Sequence, residues 1–430
     1  MRRRLPALLN DRPFRRYWAG QSVSLLGDQI SLIAIPLTAV LVLHADAAEM
    51  SRLATAGLLP ALLFSLPAGA WADTRTHRRR VMICADLGRV VLVGSVPLAY
   101  ALDALTLTQL YVVAFATGTL TVLFDVCNTT LFVALTPDDR FIEGSTLVHG
   151  SRSMSSVAGP SIGGALVQLL AAPLALVADA LTYLTSAGFL ARVAPAEPPP
   201  ATRTKGHLTA GLRWMLRSEV LRATFAASAT VQFFNFMFHT LFVLYATTEL
   251  GLSAGALGAA LGVGAVGGLI GAMLTGRIVS RIGVGPAAIL GYALFPTPLL
   301  LVPLADGPTE LVLTLLFLAE FGSCAGAMIV DIALNSLEAA IIPDALRSRV
   351  LGAFRTVAHG MRPLGALTAG VLGTAIGLRA TLWVATSGAV LCLLWVLPSP
   401  LPRIRALPTR PLPAEPRPDP TPSEGPSPVP

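Results

Sequence analysis

About twelve stretches of this chain run apolar for roughly 20 residues or more, the length a helix needs to cross the hydrocarbon core of a bilayer. In the first half they are Tyr17–Leu43, Ser51–Trp71, Val81–Leu102, Thr108–Leu135, Gly144–Leu170 and Pro173–Ala191. The second half gives Leu221–Thr248, Ala254–Ser280, Val284–Ala305, Thr309–Ile341, Arg347–Ile376 and Arg379–Leu397. Inside lipid every backbone N–H and C=O needs an internal partner, which leaves helices and closed barrels. Barrel strands alternate polar and apolar residues, and these runs do not. The expected fold is therefore an all-α membrane protein of twelve transmembrane helices. Only 13% of the 430 residues are charged, against roughly 25% in a soluble domain. A lipid-facing surface accounts for that deficit. The arginine-rich Met1 to Arg16 precedes an apolar run too long for a signal h-region, so no cleavable leader is expected. The cysteines Cys84, Cys127, Cys324 and Cys392 fall inside spans without metal-ligand spacing, as small packing residues do. No metal or cofactor is expected.

The basic residues sort by side. With the N-terminus placed in the cytoplasm, Arg2, Arg3, Arg4, Arg12, Arg15 and Arg16 precede the first span, and Arg75 to Arg80 join the second and third. Arg203, Lys205, Arg213, Arg217 and Arg222 lie between spans six and seven, and Arg277 and Arg281 close the eighth. Arg347 and Arg349 open the eleventh, and Arg403, Arg405, Arg410 and Arg417 follow the last. Only Arg52 and Arg379 fall on the other side. That bias puts both termini in the cytoplasm of a plasma or inner membrane. It also explains the formal net charge of +7 by contact with anionic lipid headgroups, with no nucleic-acid partner.

The proline-rich PAEPPPATRTKG (195–206) separates six spans from six and reads as a flexible linker. The expected division is a six-helix bundle over 1–194, a cytoplasmic linker with an amphipathic helix over 195–220, a second bundle over 221–398 and a disordered proline-rich tail over 399–430. In TAGLRWMLRSEVLRAT (209–224), Leu212, Met215, Leu216 and Val220 form one stripe opposite arginines, the pattern of a helix lying on the membrane surface. The halves share landmarks. One spacing separates Gly69 from Gly276, Asp73 from Ser280 and Asn128 from Asn335. Pro137-Asp138 recurs as Pro343-Asp344, and Arg152 with Pro160 as Arg355 with Pro363. Matching landmarks in order indicate duplication, and parallel six-span repeats flank a midplane site in many transporters.

The loop Gly69-x3-Asp73-x-Arg75-x2-Arg78-Arg79 resembles the signature of the major facilitator superfamily between its second and third helices. SLLGDQISLIAIPL (24–37), LTVLFDVCNTTL (120–131), GLRWMLRSEVLRA (211–223) and PDALRSRVLGAFR (343–355) resemble its drug:proton-antiporter-like branch, which includes macrolide-efflux and siderophore exporters. The second-half loop GRIVSRIG (276–283) departs from the signature, with Ser280 where an acid can stand. The resemblance implies two pseudo-symmetric six-helix bundles, helices one, four, seven and ten lining a central cavity, and a gating role for the loop. Asp73 would face the N-terminal end of helix eleven, where the helix dipole favours a carboxylate, when the cytoplasmic side closes. The arginines would pair locally with acids such as Asp86, and Gly69 would let helices approach closely.

A charge at the centre of a spanning helix costs ~2.5–3.5 kcal/mol on insertion scales. The costly polar residues expected on the four cavity helices are Asp28 and Gln29, Asp125 and Asn128, Gln232, Asn235 and His239, and Glu320, Asp331, Asn335 and Glu338. Counting ~1.5 Å per residue, Asp28 and Glu320 lie near midplane, Asp125 and Asp331 nearer the cytoplasm. A carboxyl in an apolar cavity is suited to proton exchange near neutral pH, so Asp28 and then Glu320 lead as proton carriers, with Asp125 and Asp331 behind them. Gln29, Asn128, Gln232, Asn235, His239 and Asn335 are the substrate-cavity candidates. Arg152 and Arg355 are expected to anchor their helices by pairing with acids, and Arg362 either pairs in the same way or meets an anionic substrate. The run Phe233, Phe234, Phe236 and Phe238 cannot share one helix face, so only part of it can touch an apolar substrate.

No GxxxxGK[ST] loop occurs, so ATP is not the expected direct energy source. The leading expectation is a monomeric secondary active exporter that moves a small amphipathic organic compound outward against protons by alternating access. Siderophore export is the alternative within transport. A membrane-embedded enzyme would need clustered acids or histidines at a membrane face, and a non-transporting sensor a sizeable soluble domain. Neither feature is present in the sequence.

Overall fold

The computed structural model describes residues 7–73, 77–193, 218–342 and 344–406. Arg75, the linker with the stripe as far as Met215 and Leu216, the tail beyond 406, and the side chains of Asp73, Arg355 and His359 lie outside the described residues. Twelve helical segments follow one another: α1 (Arg12–Leu41), α2 (Ala47–Asp73), α3 (Arg78–Ala101), α4 (Leu107–Leu135), α5 (Phe141–Leu170), α6 (Ala172–Ala191), α7 (Glu219–Thr248), α8 (Ala254–Ile282), α9 (Val284–Leu304), α10 (Thr309–Ile341), α11 (Asp344–Ile376) and α12 (Leu378–Val396). Nine of these are long and apolar enough to cross a membrane. The other three, α2, α5 and α11, have 27, 30 and 33 residues and match them in length.

Local chemistry sets where the helices start and break. Asp11, Thr106, Ser218 and Ser253 each place a side-chain oxygen on an orphan N–H at the start of α1, α4, α7 and α8. Before α2, the Asp46 carboxylate accepts from Glu49 N at 2.8 Å while the Glu49 carboxylate accepts from Asp46 N at 2.9 Å, a reciprocal cap. The helix of α9 stops at Leu294 and continues as a tighter turn over Thr297–Leu300. Pro296 and Pro298 lack the N–H that the ladder needs there. Gly283, at φ +95°, joins α8 to α9 in a conformation that side chains rarely adopt.

One boundary differs from the sequence reading. Val220 and Arg222, assigned above to a surface helix, belong to the first turn of α7. Leu221 is buried with Ile342 and Val350, and Val220 packs on the core beside α9 and α12, so this turn is held by the bundle and not by the membrane surface.

The two ends of the helix array differ in charge. Arg12, Arg15, Arg16, Arg78, Arg79, Arg80, Arg192, Arg277, Arg281 and Arg403 mark one end, called here the basic end; Asp46, Glu49, Asp103, Glu249, Asp306 and Glu310 mark the opposite, acidic end. At the acidic end one apolar core joins both halves of the chain: Leu37 and Val40 of α1, Met50 of α2, Val167 of α5, Leu241 and Tyr245 of α7, Leu257 of α8 and Ala369 of α11 belong to it. At the basic end the core is divided. Phe14, Met82, Phe124 and Leu131 form one cluster within α1–α6, and Val231, Tyr292, Leu334 and Val396 another within α7–α12. The halves thus meet at the acidic end and part toward the basic end.

Two helix pairs make that junction. α5 packs on α8 and α2 on α11. Ser51 Oγ of α2 donates to Ala366 O of α11 at 2.8 Å. Gln168 of α5 accepts from Gly255 N of α8 at 3.0 Å, and Ser161 Oγ donates to Gly258 O at 3.4 Å. An added Cβ at Gly258 would lie 2.5 Å from Pro160 O and 2.9 Å from Gly164 Cα, so only glycine permits this approach.

Candidate functional site

The costly charges of the first half gather around Asp28. This residue sits past the midpoint of α1 and is half-buried. Its Oδ1 accepts a hydrogen bond from Tyr183 Oη of α6 at 2.6 Å. The Tyr183 ring also forms one side of a sandwich around Arg89 of α3. Cζ of that arginine is 4.6 Å from the ring centres of both Tyr183 and Phe124 of α4. Ring faces are negative, so each attracts the guanidinium where water is absent. Arg89 Nη2 lies 2.9 Å from Asp86 Oδ1, one turn earlier on α3. Arg89 is 1% exposed and Asp86 0%. Asp86 oxygens and Arg89 Nε have no aligned hydrogen-bond partner among the described residues, so proximity of charge holds this pair more than directed hydrogen bonds do.

A further acid, on α6, closes the group. Asp179, one turn from Tyr183 on α6, is fully buried and accepts from Ser31 of α1 and from Thr182 Oγ1, the latter at 3.2 Å. Asp125 of α4 and Arg152 of α5 are exposed. Asp28, Asp86 and Asp179 thus adjoin the Arg89–Tyr183 contact: Asp28 by a hydrogen bond, Asp86 by an ion pair and Asp179 one turn along α6.

The residues that the sequence reading assigned to helices one, four, seven and ten lie on α1, α4, α7 and α10, but two further helices carry charge that it passed over. Asp86 and Arg89 stand on α3, and Asp179 and Tyr183 on α6. Among the described residues Asp86 pairs with Arg89, one turn along its own helix. The missed signal was an acid three residues before an arginine inside a span, and an acid four before a tyrosine, each pair on one helix face. Gln29 and Asn128 sit in helix contacts. Gln29 packs against Gly159 of α5, and Asn128 Oδ1 accepts from Tyr17 Oη at 2.7 Å.

The second half holds a cavity of about 360 Å³ between α7, α9, α10 and the start of α11. Gln232, Asp331, Asn335 and Glu338 give it polar walls, and Phe295, Met328 and Phe354 supply apolar surface. Gln232, Asn235, Phe236 and His239 recur at helical spacing on one face of α7. Asn235 Oδ1 is buried without a hydrogen-bond partner among the described residues, and the His239 ring lies against Phe236 and Phe238. Of the phenylalanine run, Phe238 stacks on Phe242 in the core, while Phe236 lies under the Arg362 guanidinium. Glu320 stands elsewhere. It is 3% exposed, in the contact between α10 and α8, where Gly264 and Cys324 adjoin it and its Oε1 has no hydrogen-bond partner among the described residues. It does not line the cavity described here. Of the motif glycine and arginines, Gly69 has open space around its Cα, Arg78 Nε donates to Ala72 O at 3.2 Å, and Arg79 donates to Ala191 O and Val193 O beyond α6. These last contacts tie the start of α3 to the ends of α2 and α6.

Comparison with known proteins places this geometry. The model of the Major Facilitator Superfamily matches residues 17–366. The multidrug efflux pump Tap of Mycolicibacterium fortuitum is 29% identical over 412 residues, which cover 89% of this chain and 93% of that protein. A solved bacterial homologue of the iron transporter ferroportin, in an inward-facing state, superposes with a TM-score of 0.71 at 16% identity, covering 90% of this chain and 98% of that one. The nucleoside transporter NupG gives 0.70 at 11% identity, covering 90% and 98%. At such identity the two structures bear on the fold alone.

Proposed function

The chain belongs to the Major Facilitator Superfamily, and on that premise we propose that it is a proton-coupled exporter of small amphipathic organic compounds. It works by alternating access between two six-helix bundles, residues 1–194 and 221–398, joined by a cytoplasmic linker and followed by a proline-rich tail. The basic end faces the cytoplasm of the cell membrane, because arginines stay on the side of synthesis and against anionic lipid. The parted arrangement then opens inward, where a cytoplasmic compound enters. The similarity to a multidrug efflux pump supports outward movement of such compounds. The working unit is a monomer.

The observation that carries the reading is the gathering of Asp28, Asp86 and Asp179 about one buried guanidinium, Arg89, and its Tyr183 partner. Uncompensated charge in so dry a place is costly, so the group takes up or gives off protons as its access to water changes. Asp28 is the carrier. Among the four acids Asp28, Asp86, Asp125 and Asp179 it joins partial exposure to a direct hydrogen bond with Tyr183. Asp125 and Asp331 relay protons toward the basic end, and Glu320 is a second acid whose exchange awaits separation of α8 from α10.

Inverted membrane vesicles with an imposed inward-acid pH gradient, screened with amphipathic drugs, provide the test. Accumulation should follow the gradient and collapse with a protonophore; accumulation indifferent to both removes proton coupling.

The loop motif gates the basic end. When that end closes, Asp73 meets the N-terminal end of α11, where the helix dipole stabilises a carboxylate by about 0.3–1 kcal/mol. Asp73→Asn is expected to lower turnover roughly 2- to 5-fold with near-normal substrate binding, as that range of energies implies. Lost binding at normal expression would remove the gating role.

A further inference from the structure

Arg362 of α11 has no carboxylate partner among the described residues. With its amide oxygen turned toward α11, Gln232 accepts from Arg362 Nε at 3.0 Å and from Nη2 at 2.7 Å. The Phe236 ring lies 4.8 Å beneath the guanidinium. An amide and a ring orient the cation, but neither cancels its charge. Gln232 itself lines the 360 Å³ cavity, so Arg362, which is not a lining residue, is one hydrogen bond behind that wall.

The facing wall has the opposite sign. Asp331, Asn335 and Glu338 project from α10 at helical spacing into the same cavity. Asp331 is exposed there, and the Asn335 amide is held by a 2.8 Å bond to Asp331 O. Between the two walls lie Phe295, Met328 and Phe354. A purely anionic compound would be drawn to Arg362 and repelled by Asp331; a purely cationic one would meet the reverse. An aromatic compound carrying both charges satisfies both walls.

We infer that this cavity selects amphoteric aromatic compounds, with an acidic group on Arg362, a ring against Phe236 and Phe295, and a basic nitrogen toward Asp331. The inference rests on small-molecule transport but not on proton coupling, so vesicle experiments and binding experiments can fail separately. A carboxylate that displaces the Gln232 amide takes over the Nε and Nη2 donors, because two parallel N–H groups match its two oxygens and it, unlike the amide, cancels the charge. The volume falls within the range of drug-sized sites, roughly 300–1,000 Å³.

Equilibrium dialysis on the purified protein in lipid nanodiscs tests this without any gradient. The probes are norfloxacin, which has an aryl carboxylate and a remote amine, its ethyl ester, and its N-acetyl derivative. Each masked form should bind roughly 10- to 100-fold more weakly than norfloxacin, the worth of one charge-assisted hydrogen bond. Arg362→Met should lower norfloxacin affinity by the same factor and leave the ester unchanged; Asp331→Asn should do so for norfloxacin and spare the N-acetyl derivative. Arg362→Lys, which keeps the charge but not the fork, should fall between wild type and Arg362→Met. An ester that binds as tightly as its parent overturns the inference. So does an Arg362→Met variant that weakens parent and ester alike, or norfloxacin that fails to bind at millimolar concentration.

Discussion

Asp28→Asn is expected to reduce gradient-driven accumulation in inverted vesicles to the level of vesicles lacking the protein, while exchange of labelled for unlabelled compound without a gradient persists. Asparagine keeps the shape of the side chain and can still accept from Tyr183 Oη, now 2.6 Å from Asp28 Oδ1, but it cannot carry a proton. Folding should survive, because the change removes a charge from a place where charge is costly and leaves the Arg89–Asp86 pair intact. Asp28→Glu should restore part of the accumulation. An asparagine variant that still concentrates its compound along the pH gradient assigns the proton to another acid, with Asp125 next in line by its exposure. Loss of both accumulation and exchange would instead mark Asp28 as a structural or substrate-binding residue.

The architecture was legible in the sequence because lipid leaves few choices. A run of roughly 20 apolar residues in a bilayer must be a helix, and arginine placement separates the ends. Those two rules anticipated the segments α1 to α12 and the basic end. The site was legible only in part, since position on a helix says nothing about which neighbour a side chain faces. Asp28 and Asp331 were chosen by depth and helix number, and the structure places them in very different settings: one tied to Tyr183 inside the first half, the other open in a cavity of the second. Glu320 has a similar depth to Asp28, yet it turns toward the glycines of α8. Arg89 escaped notice because its partners, Phe124 and Tyr183, lie far away in sequence and only three-dimensional packing assembles their rings around it. The Pro296 break in α9 was present in the residues but hidden by an unbroken apolar run.

The glycine contact between α5 and α8 sets the second large effect. Gly258→Ala is expected to lower transport roughly 5- to 150-fold by disfavouring closure of the acidic end. The added Cβ would sit 2.5 Å from Pro160 O and 2.9 Å from Gly164 Cα. Both are backbone atoms, so no side chain can swing aside, and α5 and α8 must separate. Overpacking of this kind costs about 1–3 kcal/mol, and a bias of that size between two states corresponds to the stated factor. The strain falls on one state only if the helices part there when the acidic end opens, which is what alternating access requires. Gly188→Ala is the control, as a Cβ on that α6 residue meets nothing within 4 Å. A cysteine introduced near Gln168 should react faster with a membrane-impermeant thiol reagent in Gly258→Ala than in the control, because the acidic end spends more time open. Equal labelling with unimpaired transport would mean that α5 and α8 do not form the closing contact. Equal labelling with impaired transport would instead place the alanine effect on folding, which the amount of protein in the membrane reads directly.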